Sequence, residues 1–357
     1  MSNFSRRDTL RMLTAALAAS AAGTAMPARA AAGKITVLNW KGYGTDEDGS
    51  LKAFTAATGI EVVHDYFSSE SEELTKLRTN PGAYDVVLLN SARVSTAATE
   101  GLIVPADLSK IPNAADVNPE LLANPNFTID GKLYAVPWVW GMTSIAMREG
   151  ATKPASYKDL ASPAYKGRFA MDDDAMIAMA MGALMTGQDM NNPKDMDAVK
   201  AALKSLKPNI KMLWSSEDQW NKSFAANEFD VSMFWSGGAV RSKRNAKLPV
   251  EFVVPSEGAI VWVDGLTVAT GAPNPDGAAA FINWMIDPKF YVEWATKVGA
   301  PASSNSKALA ALPADDLSAL VHKPAYMKSA NVMSAMPDDR RETFNNAWSE
   351  VKAFYAE

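Results

Sequence analysis

The chain has 357 residues, no cysteine and a formal net charge of −5 at pH 7. This mild acidity argues against nucleic-acid binding, which demands a basic face, and without cysteine no disulfide supports the fold. A chain of this length, in which 48% of the residues are hydrophobic, can fill two cores but is too long for a single one. We therefore expect two lobes.

The N-terminal segment has the three parts of an export signal. Paired arginines, Arg6 and Arg7, precede an apolar run over residues 12–22, and the small-x-small pattern Ala28-Arg29-Ala30 follows. This order predicts a twin-arginine signal peptide over residues 1–31 that is removed on export. An ordinary secretory signal with a chance arginine pair is the alternative. The apolar run is too short for a stable membrane anchor, so we expect a soluble exported protein.

Strands and helices alternate along the rest of the chain, which is the pattern of an α/β protein. In the first half we predict strands at 35–39, 60–66 and 85–89, helices at 51–58, 70–79 and 94–100, and an extended crossing segment at 133–141 followed by an apolar run at 143–147. In the second half we predict strands at 168–171, 231–235 and 266–269, helices at 175–186, 198–206 and 276–286, and a helix that follows Ser236-Gly237-Gly238 and runs through Arg244. We also predict a second crossing segment at 258–264 and a final amphipathic helix at 340–354. The methionines of the helix at 175–186 are expected to fill the core.

Motifs for catalysis are missing from the sequence. The two histidines, His64 and His322, are far apart and lack a metal-binding spacing. There is no Gly-x-Ser-x-Gly elbow, phosphate-binding glycine loop or cysteine nucleophile. The run Asp172-Asp173-Asp174 is either a divalent-cation site or, as we favour, a solvated loop with one carboxylate turned inward. We therefore expect neither enzyme activity nor a cofactor.

Aromatic and acidic residues gather at the predicted strand ends, which converge on one cleft in a two-lobed α/β protein. Trp262 and Asp264 lie two residues apart in an extended segment and so share one face. Ring faces attract ammonium groups and a carboxylate fixes them by a charge-assisted hydrogen bond. Packing in the core is the alternative for any single tryptophan. The residues at strand ends are Trp40, Tyr43, Ser91, Asp174, Trp235, Trp262 and Asp264.

Over nearly all of its mature length the chain resembles the periplasmic spermidine/putrescine-binding proteins of ABC importers. The matching motifs are Asn39-Trp40-x-x-Tyr43, Thr58-Gly59-Ile60-Glu61-Val62, Ala83-Tyr84-Asp85-Val86-Val87, Val136-Pro137-Trp138-Val139-Trp140-Gly141, Tyr165-Lys166-Gly167, Trp235-Ser236-Gly237, and Pro255-Ser256-Glu257-Gly258 leading to Trp262-x-Asp264. The resemblance implies a type II solute-binding fold, two lobes that close on a ligand by a hinge. It also implies ligand-binding roles for the seven strand-end residues, with Asp264 holding an amine and the tryptophans enclosing an aliphatic chain.

The same resemblance implies the organisation and setting of the protein. We expect one lobe over residues 32–140 plus 264–311 and the other over residues 141–263 plus 312–357. The expected location is the periplasm, the partner is an ABC permease in the inner membrane, and the protein is expected to be a monomer.

Four residues depart from the family pattern and bear on the ligand. Lys41 replaces a small hydroxyl residue, Arg93 an aromatic ligand contact, and Ile177 and Gly238 two acids. A fixed cation beside a dication is repulsive, so Lys41 and Arg93, counted here as candidate ligand contacts, favour a zwitterion such as an ω-amino acid, or a monoamine. If both basic side chains face solvent, a polyamine remains the expected ligand. A metal- or anion-binding protein of the same fold and a secreted enzyme are the further alternatives.

Overall fold

The computed structural model describes residues 33–322, 326 and 330–357, so the predicted signal peptide lies outside the described residues. The strands are β1 Gly33–Trp40, β2 Ile60–Phe67, β3 Val86–Asn90, β4 Ile103–Val104, β5 Thr128–Ile129, β6 Lys132–Leu133, β7 Val136–Arg148, β8 Phe169–Asp172, β9 Ile210–Trp214, β10 Val231–Trp235, β11 Val250–Val253, β12 Ile260–Ala269, β13 Ala302–Ser303 and β14 Asn331–Val332.

The α-helices within the described ranges are α1 Asp48–Thr58, α2 Glu70–Thr79, α3 Ser91–Thr99, α4 Pro119–Leu122, α5 Ala175–Met185, α6 Met196–Lys204, α7 Glu217–Ala225, α8 Ser236–Arg244, α9 Pro275–Met285, α10 Pro288–Lys297, α11 Ser306–Ala310, α12 Leu317–Val321 and α13 Asp338–Ala356. Short 3₁₀ turns lie at Leu108–Lys110, Pro112–Asp116, Pro125–Phe127, Tyr157–Ala161 and Pro163–Tyr165. None of the helices described is both long and apolar enough to span a bilayer.

One main sheet runs through the molecule in the strand order β2-β1-β3-β12-β7-β10-β8-β9. At its two ends the strands are parallel: β1 pairs with β2 and β3, and β8 pairs with β9 and β10. In its middle, β12 is antiparallel to β3 and β7, and β10 is antiparallel to β7. Two parallel α/β units are therefore joined by a pair of antiparallel strands.

The joining strands β7 and β12 are longer than the sequence predicts. They pair from Ile260 opposite Thr143 to Leu266 opposite Val136, with an irregular register at Asp264/Gly265. The breaks predicted near Gly141 and before Leu266 are wrong because each strand is continuous. The glycines lie inside the strands because a neighbour comes close there; a Cβ on Gly265, for instance, would be 2.8 Å from the Cβ of Ala135.

Buried side chains form separate cores on either side of these joining strands. The first cluster contains residues of β1, β3 and α9, such as Val37, Leu88 and Phe281. The second and third clusters contain residues of β8 and β10, and the methionines of α5, among them Met179, fill the second one as predicted. Two lobes follow from this separation, whereas the residue boundaries of the lobes given above stay a prediction.

Helix α8, next to the third cluster, is hydrogen-bonded to the end of helix α10, which packs in the first. Arg241 donates from Nη1 to the carbonyl of Gly299 at 3.2 Å, and Asn245 donates from Nδ2 to the carbonyl of Val298 at 3.0 Å. Arg244 donates to the carbonyl of Ala295. The last carbonyls of a helix have no partner within it and carry partial negative charge, so cationic and amide donors from α8 stabilise this end.

Buried His322 connects helix α12 to helix α8. Its Nδ1 lies 2.8 Å from the carbonyl oxygen of Ser318 and its Nε2 lies 3.0 Å from Oγ of Ser236. A carbonyl only accepts, so Nδ1 carries the proton and Nε2 accepts from the serine hydroxyl. The Ser236 oxygen accepts in turn from the backbone N–H of Met142 on β7 at 3.1 Å. Burial lowers the pKa of His322 to about 4, so the imidazole is neutral at pH 7.

Candidate functional site

Three of the predicted binding residues, Asp264, Trp262 and Trp235, lie on one face of the four central strands. Asp264 on β12 lies opposite Asn90 on β3, and Trp262 on β12 lies opposite Gly141 on β7. Two residues further along β7, Thr143 lies opposite Trp235 on β10. Because directly paired residues point to the same face and alternate residues of a strand share it, these positions form one continuous surface. We call this surface, Asn90, Asp264, Trp262, Gly141, Thr143 and Trp235, the floor.

Asp264 is the acidic centre of the floor and is only 6% exposed. Tyr43 donates its hydroxyl proton to Oδ2 of Asp264 at 2.9 Å, and Asn90 donates from Nδ2 to Oδ1 at 2.9 Å. Burial, followed by the nearby Asp264 charge, raises the pKa of Tyr43 well above its usual value, so this phenol stays a neutral donor. Both of these hydrogen bonds come from uncharged groups, and they orient the carboxyl group of Asp264.

Each of the two donors to Asp264 is itself held in place. Asn90 is the N-cap of α3, and its Oδ1 accepts from the backbone N–H of Ala92 at 3.0 Å. The ring of Tyr43 packs edge-on against Trp138, with centroids 5.7 Å apart, and against Trp294 at 6.4 Å. The loop that carries Tyr43 approaches Trp294 so closely that a Cβ on Gly44, which has φ of 82°, would lie 2.5 Å from the indole. Only glycine satisfies both conditions at this position.

The indole of Trp262 lies over β7 at Gly141. A Cβ at Gly141 would fall 2.5 Å from Cη2 and 2.9 Å from Cε2 of Trp262, and nearer still to Cζ2. Non-bonded carbon atoms approach to about 3.5–4.0 Å. Gly141 therefore provides the space that the ring occupies, and the position of the ring depends on the absence of a side chain there.

Two helices begin next to the floor, one from each lobe. Ser91 is the first residue of α3 and is fully buried. Asp174 is the N-cap of α5 and accepts from the backbone N–H of Ile177 at 3.0 Å. Asp174, a predicted ligand contact, therefore also caps the start of a helix, which fixes the orientation of its carboxylate.

The remaining predicted site residues differ in exposure. Trp40 packs edge-on against Phe67 with centroids 4.5 Å apart, and Trp235 packs edge-on against Trp214 at 5.1 Å. Both tryptophans are half-buried, whereas Lys41 is exposed. Arg93 on α3 is only 4% exposed. Of the two basic side chains, Lys41 is thus the exposed one and Arg93 the buried one.

The three consecutive aspartates point to different surroundings. Asp172 is 6% exposed, and burial raises its pKa well above the usual value. Asp173 accepts from Trp348 Nε1 and Lys352 Nζ, each at 2.8 Å, while Asp174 caps α5. This arrangement matches the loop with one inward carboxylate. No group of three or more metal-ligating side chains occurs within the described residues.

Sequence reasoning missed three residues of the floor: Asn90, Gly141 and Thr143. Asn90 had a visible signal, because an amide residue between a buried strand and a helix is a typical N-cap. Gly141 and Thr143 had none, since their roles depend on which residues of β12 and β10 lie opposite them. Register between strands so distant in sequence is not encoded in a local pattern.

Comparison with known proteins places the chain among transport proteins. The model for bacterial extracellular solute-binding proteins matches residues 50–325. The spermidine/putrescine-binding periplasmic protein of Salmonella typhimurium is 34% identical over 293 residues, which cover 80% of this chain and 82% of the relative. The spermidine/putrescine-binding periplasmic protein 1 of Haemophilus influenzae is 31% identical over 343 residues, which cover 92% of each chain.

Solved structures agree in fold. A putative spermidine/putrescine ABC transporter protein from Listeria monocytogenes superposes with a TM-score of 0.78 at 25% identity, covering 90% of this chain and 99% of that one. The Atu4243-GABA receptor has the same fold at 20% identity, with a TM-score of 0.71 and coverage of 91% and 98%. The expected two-lobed type II fold is thereby confirmed. The chain belongs to the bacterial extracellular solute-binding protein family.

Proposed function

We propose that this protein is the periplasmic receptor of an ABC importer and that it captures a small amine-bearing solute, in the first place a polyamine such as putrescine or spermidine. The observation that carries the proposal is the buried Asp264 carboxylate, held between Tyr43 and Asn90 on a floor that also presents Trp262 and Trp235. Relatives at 31–34% identity are spermidine/putrescine-binding periplasmic proteins, which supports the same ligand class.

The chemistry of capture follows from these groups. An ammonium group binds Asp264 by a charge-assisted hydrogen bond, which is about twice as strong as a neutral one. The tryptophan rings contact the methylene chain and attract the cation through their faces. Binding to groups of both lobes favours the closed form, since a ligand shifts an equilibrium by its difference in affinity for the two states. The closed receptor then delivers the solute to the permease.

A zwitterionic ω-amino acid such as 4-aminobutyrate is the second candidate. The observation that favours it is Arg93, a guanidinium buried in the first turn of α3, three residues from Asn90. A guanidinium there repels the second ammonium group of a diamine and attracts a carboxylate.

Export through the twin-arginine route, supported by Arg6 and Arg7, and a monomeric state complete the proposal.

Calorimetric titration of the purified mature protein with putrescine, spermidine and 4-aminobutyrate tests the proposal. We expect at least one of them to bind and to raise the melting temperature. Asp264→Asn keeps the shape of the side chain but removes its charge, so affinity for that amine should fall about 10- to 100-fold. Asp197→Asn, a change at an exposed position on α6, is the matched control and should bind like wild type. Failure of every amine to bind, or an Asp264→Asn variant with full affinity, would refute the proposal.

A further inference from the structure

In the described part of the chain, three polar atoms on or next to the floor, which carries the proposed amine anchor Asp264, are buried without a hydrogen-bond partner. They are Oγ of Ser91, Oγ1 of Thr143 and Nε1 of Trp262. Thr143 and Trp262 belong to the floor, and Ser91 directly follows Asn90. Buried polar groups are nearly always paired in folded proteins, and an unpaired one destabilises the fold. Three of them around one surface indicate that something else supplies their partners.

The chemistry of the three atoms restricts that partner. A hydroxyl both donates and accepts, so Ser91 and Thr143 can pair with either kind of group. The indole N–H of Trp262 only donates, and it therefore needs an acceptor. Protonated ammonium groups of a polyamine only donate, so a polyamine satisfies Asp264 but leaves Nε1 of Trp262 unpaired. An oxygen acceptor on the ligand satisfies it.

The geometry separates this acceptor from the amine anchor. Trp262 and Asp264 are two residues apart on β12, so their Cα atoms are about 6–7 Å apart at the rise of a strand. Thr143 lies diagonally across from Trp262, because it faces Ile260 while Gly141 faces Trp262. Long side chains reach such diagonal neighbours across a sheet. The acceptor is therefore bound one step along the floor from the amine, on the side of Trp235.

We propose that the cognate ligand carries, besides the amine bound by Asp264, a carboxylate or carbonyl oxygen that accepts hydrogen bonds from Nε1 of Trp262 and Oγ1 of Thr143, which places the zwitterionic second candidate above ahead of an unmodified polyamine. This inference rests on the proposed function, since it assumes the amine anchor. The two groups occupy separate ends of the ligand, as in an ω-amino acid or an N-acylated diamine, and not one carbon atom, as in an α-amino acid.

Four probes and two variants test the inference by titration calorimetry. The probes are 4-aminobutyrate with a carboxylate, N-acetylputrescine with a carbonyl, putrescine with a second amine, and n-butylamine with none of these groups. We expect wild type to bind at least one oxygen-bearing probe about tenfold or more tightly than n-butylamine, as one or two added hydrogen bonds predict. Comparison of 4-aminobutyrate with N-acetylputrescine then distinguishes a carboxylate from a carbonyl ligand.

Thr143→Val is the diagnostic variant because valine keeps the shape of threonine and removes only the hydroxyl. It should weaken binding of the preferred oxygen-bearing probe about 5- to 10-fold and weaken n-butylamine binding less. The free variant should melt no lower than wild type, because an unpaired buried hydroxyl is lost. Trp262→Phe should likewise weaken the oxygen-bearing probe more than n-butylamine.

The outcomes separate this inference from the proposed function. If amines bind but the oxygen-bearing probes bind no more tightly than n-butylamine, the acceptor site is wrong and the amine anchor stands. Equal losses for all probes in Thr143→Val would also overturn the acceptor site. If no amine binds, both the proposed function and this inference fail.

Discussion

Replacing Gly141 with alanine tests whether the Trp262 indole is placed by the missing side chain opposite it. The new Cβ would lie 2.5 Å from Cη2 and 2.9 Å from Cε2, against a normal carbon separation of about 3.5–4.0 Å. The ring must therefore move by about 1 Å or more, away from β7 and the floor. Overpacking of this kind lowers the free energy of unfolding by about 1–3 kcal/mol. A displaced ring and donor should weaken ligand binding about tenfold or more.

Urea unfolding and titration calorimetry of Gly141→Ala measure the two effects. Gly49→Ala is the matched control: Gly49 lies in α1, and a Cβ there meets nothing within 4 Å. That variant should bind like wild type and gain up to about 1 kcal/mol from helix propensity. Combining Gly141→Ala with Trp262→Phe relieves the overlap and should restore stability without restoring affinity. If Gly141→Ala has both the stability and the affinity of wild type, the placement of the indole described above is wrong.

The remaining predictions concern Tyr43 and His322. Tyr43→Phe removes the hydrogen bond from the phenol to Asp264. It should weaken amine binding about 5- to 20-fold by calorimetry, since hydrogen bonds to charged groups contribute about 1.5–3 kcal/mol and water replaces part of this one. Unchanged affinity would show that the phenol does not orient the carboxylate. For His322, the folded pKa of about 4 lies below the unfolded value of about 6.5. The unfolded chain therefore binds the proton first, and the stability that neutral His322 contributes is complete above pH 6.5 and is lost as the pH falls from 6.5 to 4. A shift of this size corresponds to about 3 kcal/mol. Between pH 7 and pH 4, the free energy of unfolding measured in urea should therefore fall by about 3 kcal/mol more for wild type than for His322→Asn. Equal decreases in the two proteins would contradict a neutral, buried His322.

Most elements were predictable because their signals are local. The strands at 35–39, 60–66 and 231–235 match β1, β2 and β10 to within two residues, since each is a short segment rich in β-branched and aromatic residues and bounded by turn or helix signals. By contrast, β9 at Ile210–Trp214 and helix α7 were missed. The sequence Ile-Lys-Met-Leu-Trp has no clean alternation, and its strand conformation depends on pairing with β8.

The site was predictable in part for the same reason. Strand ends identified Tyr43 and Asp264 separately, and the structure joins them by a hydrogen bond across 221 residues of sequence. The part played by Asn90 depends on the pairing of β3 with β12, and the part played by Gly141 depends on the register of β12 against β7. These roles depend on which residue lies opposite another in the sheet, and a single sequence does not reveal that pairing.

The continuous pairing of β7 with β12 has a mechanical consequence. Both lobes are attached to this two-stranded ribbon, so any change in the angle between them twists or bends the backbone that carries Asp264 and Trp262. The irregular register at Asp264/Gly265 increases the local twist next to the amine anchor. The stiffness of the ribbon and the shape of the binding surface are therefore set by the same residues. Substitutions along the ribbon that never touch the solute should alter how fast the receptor closes and releases it.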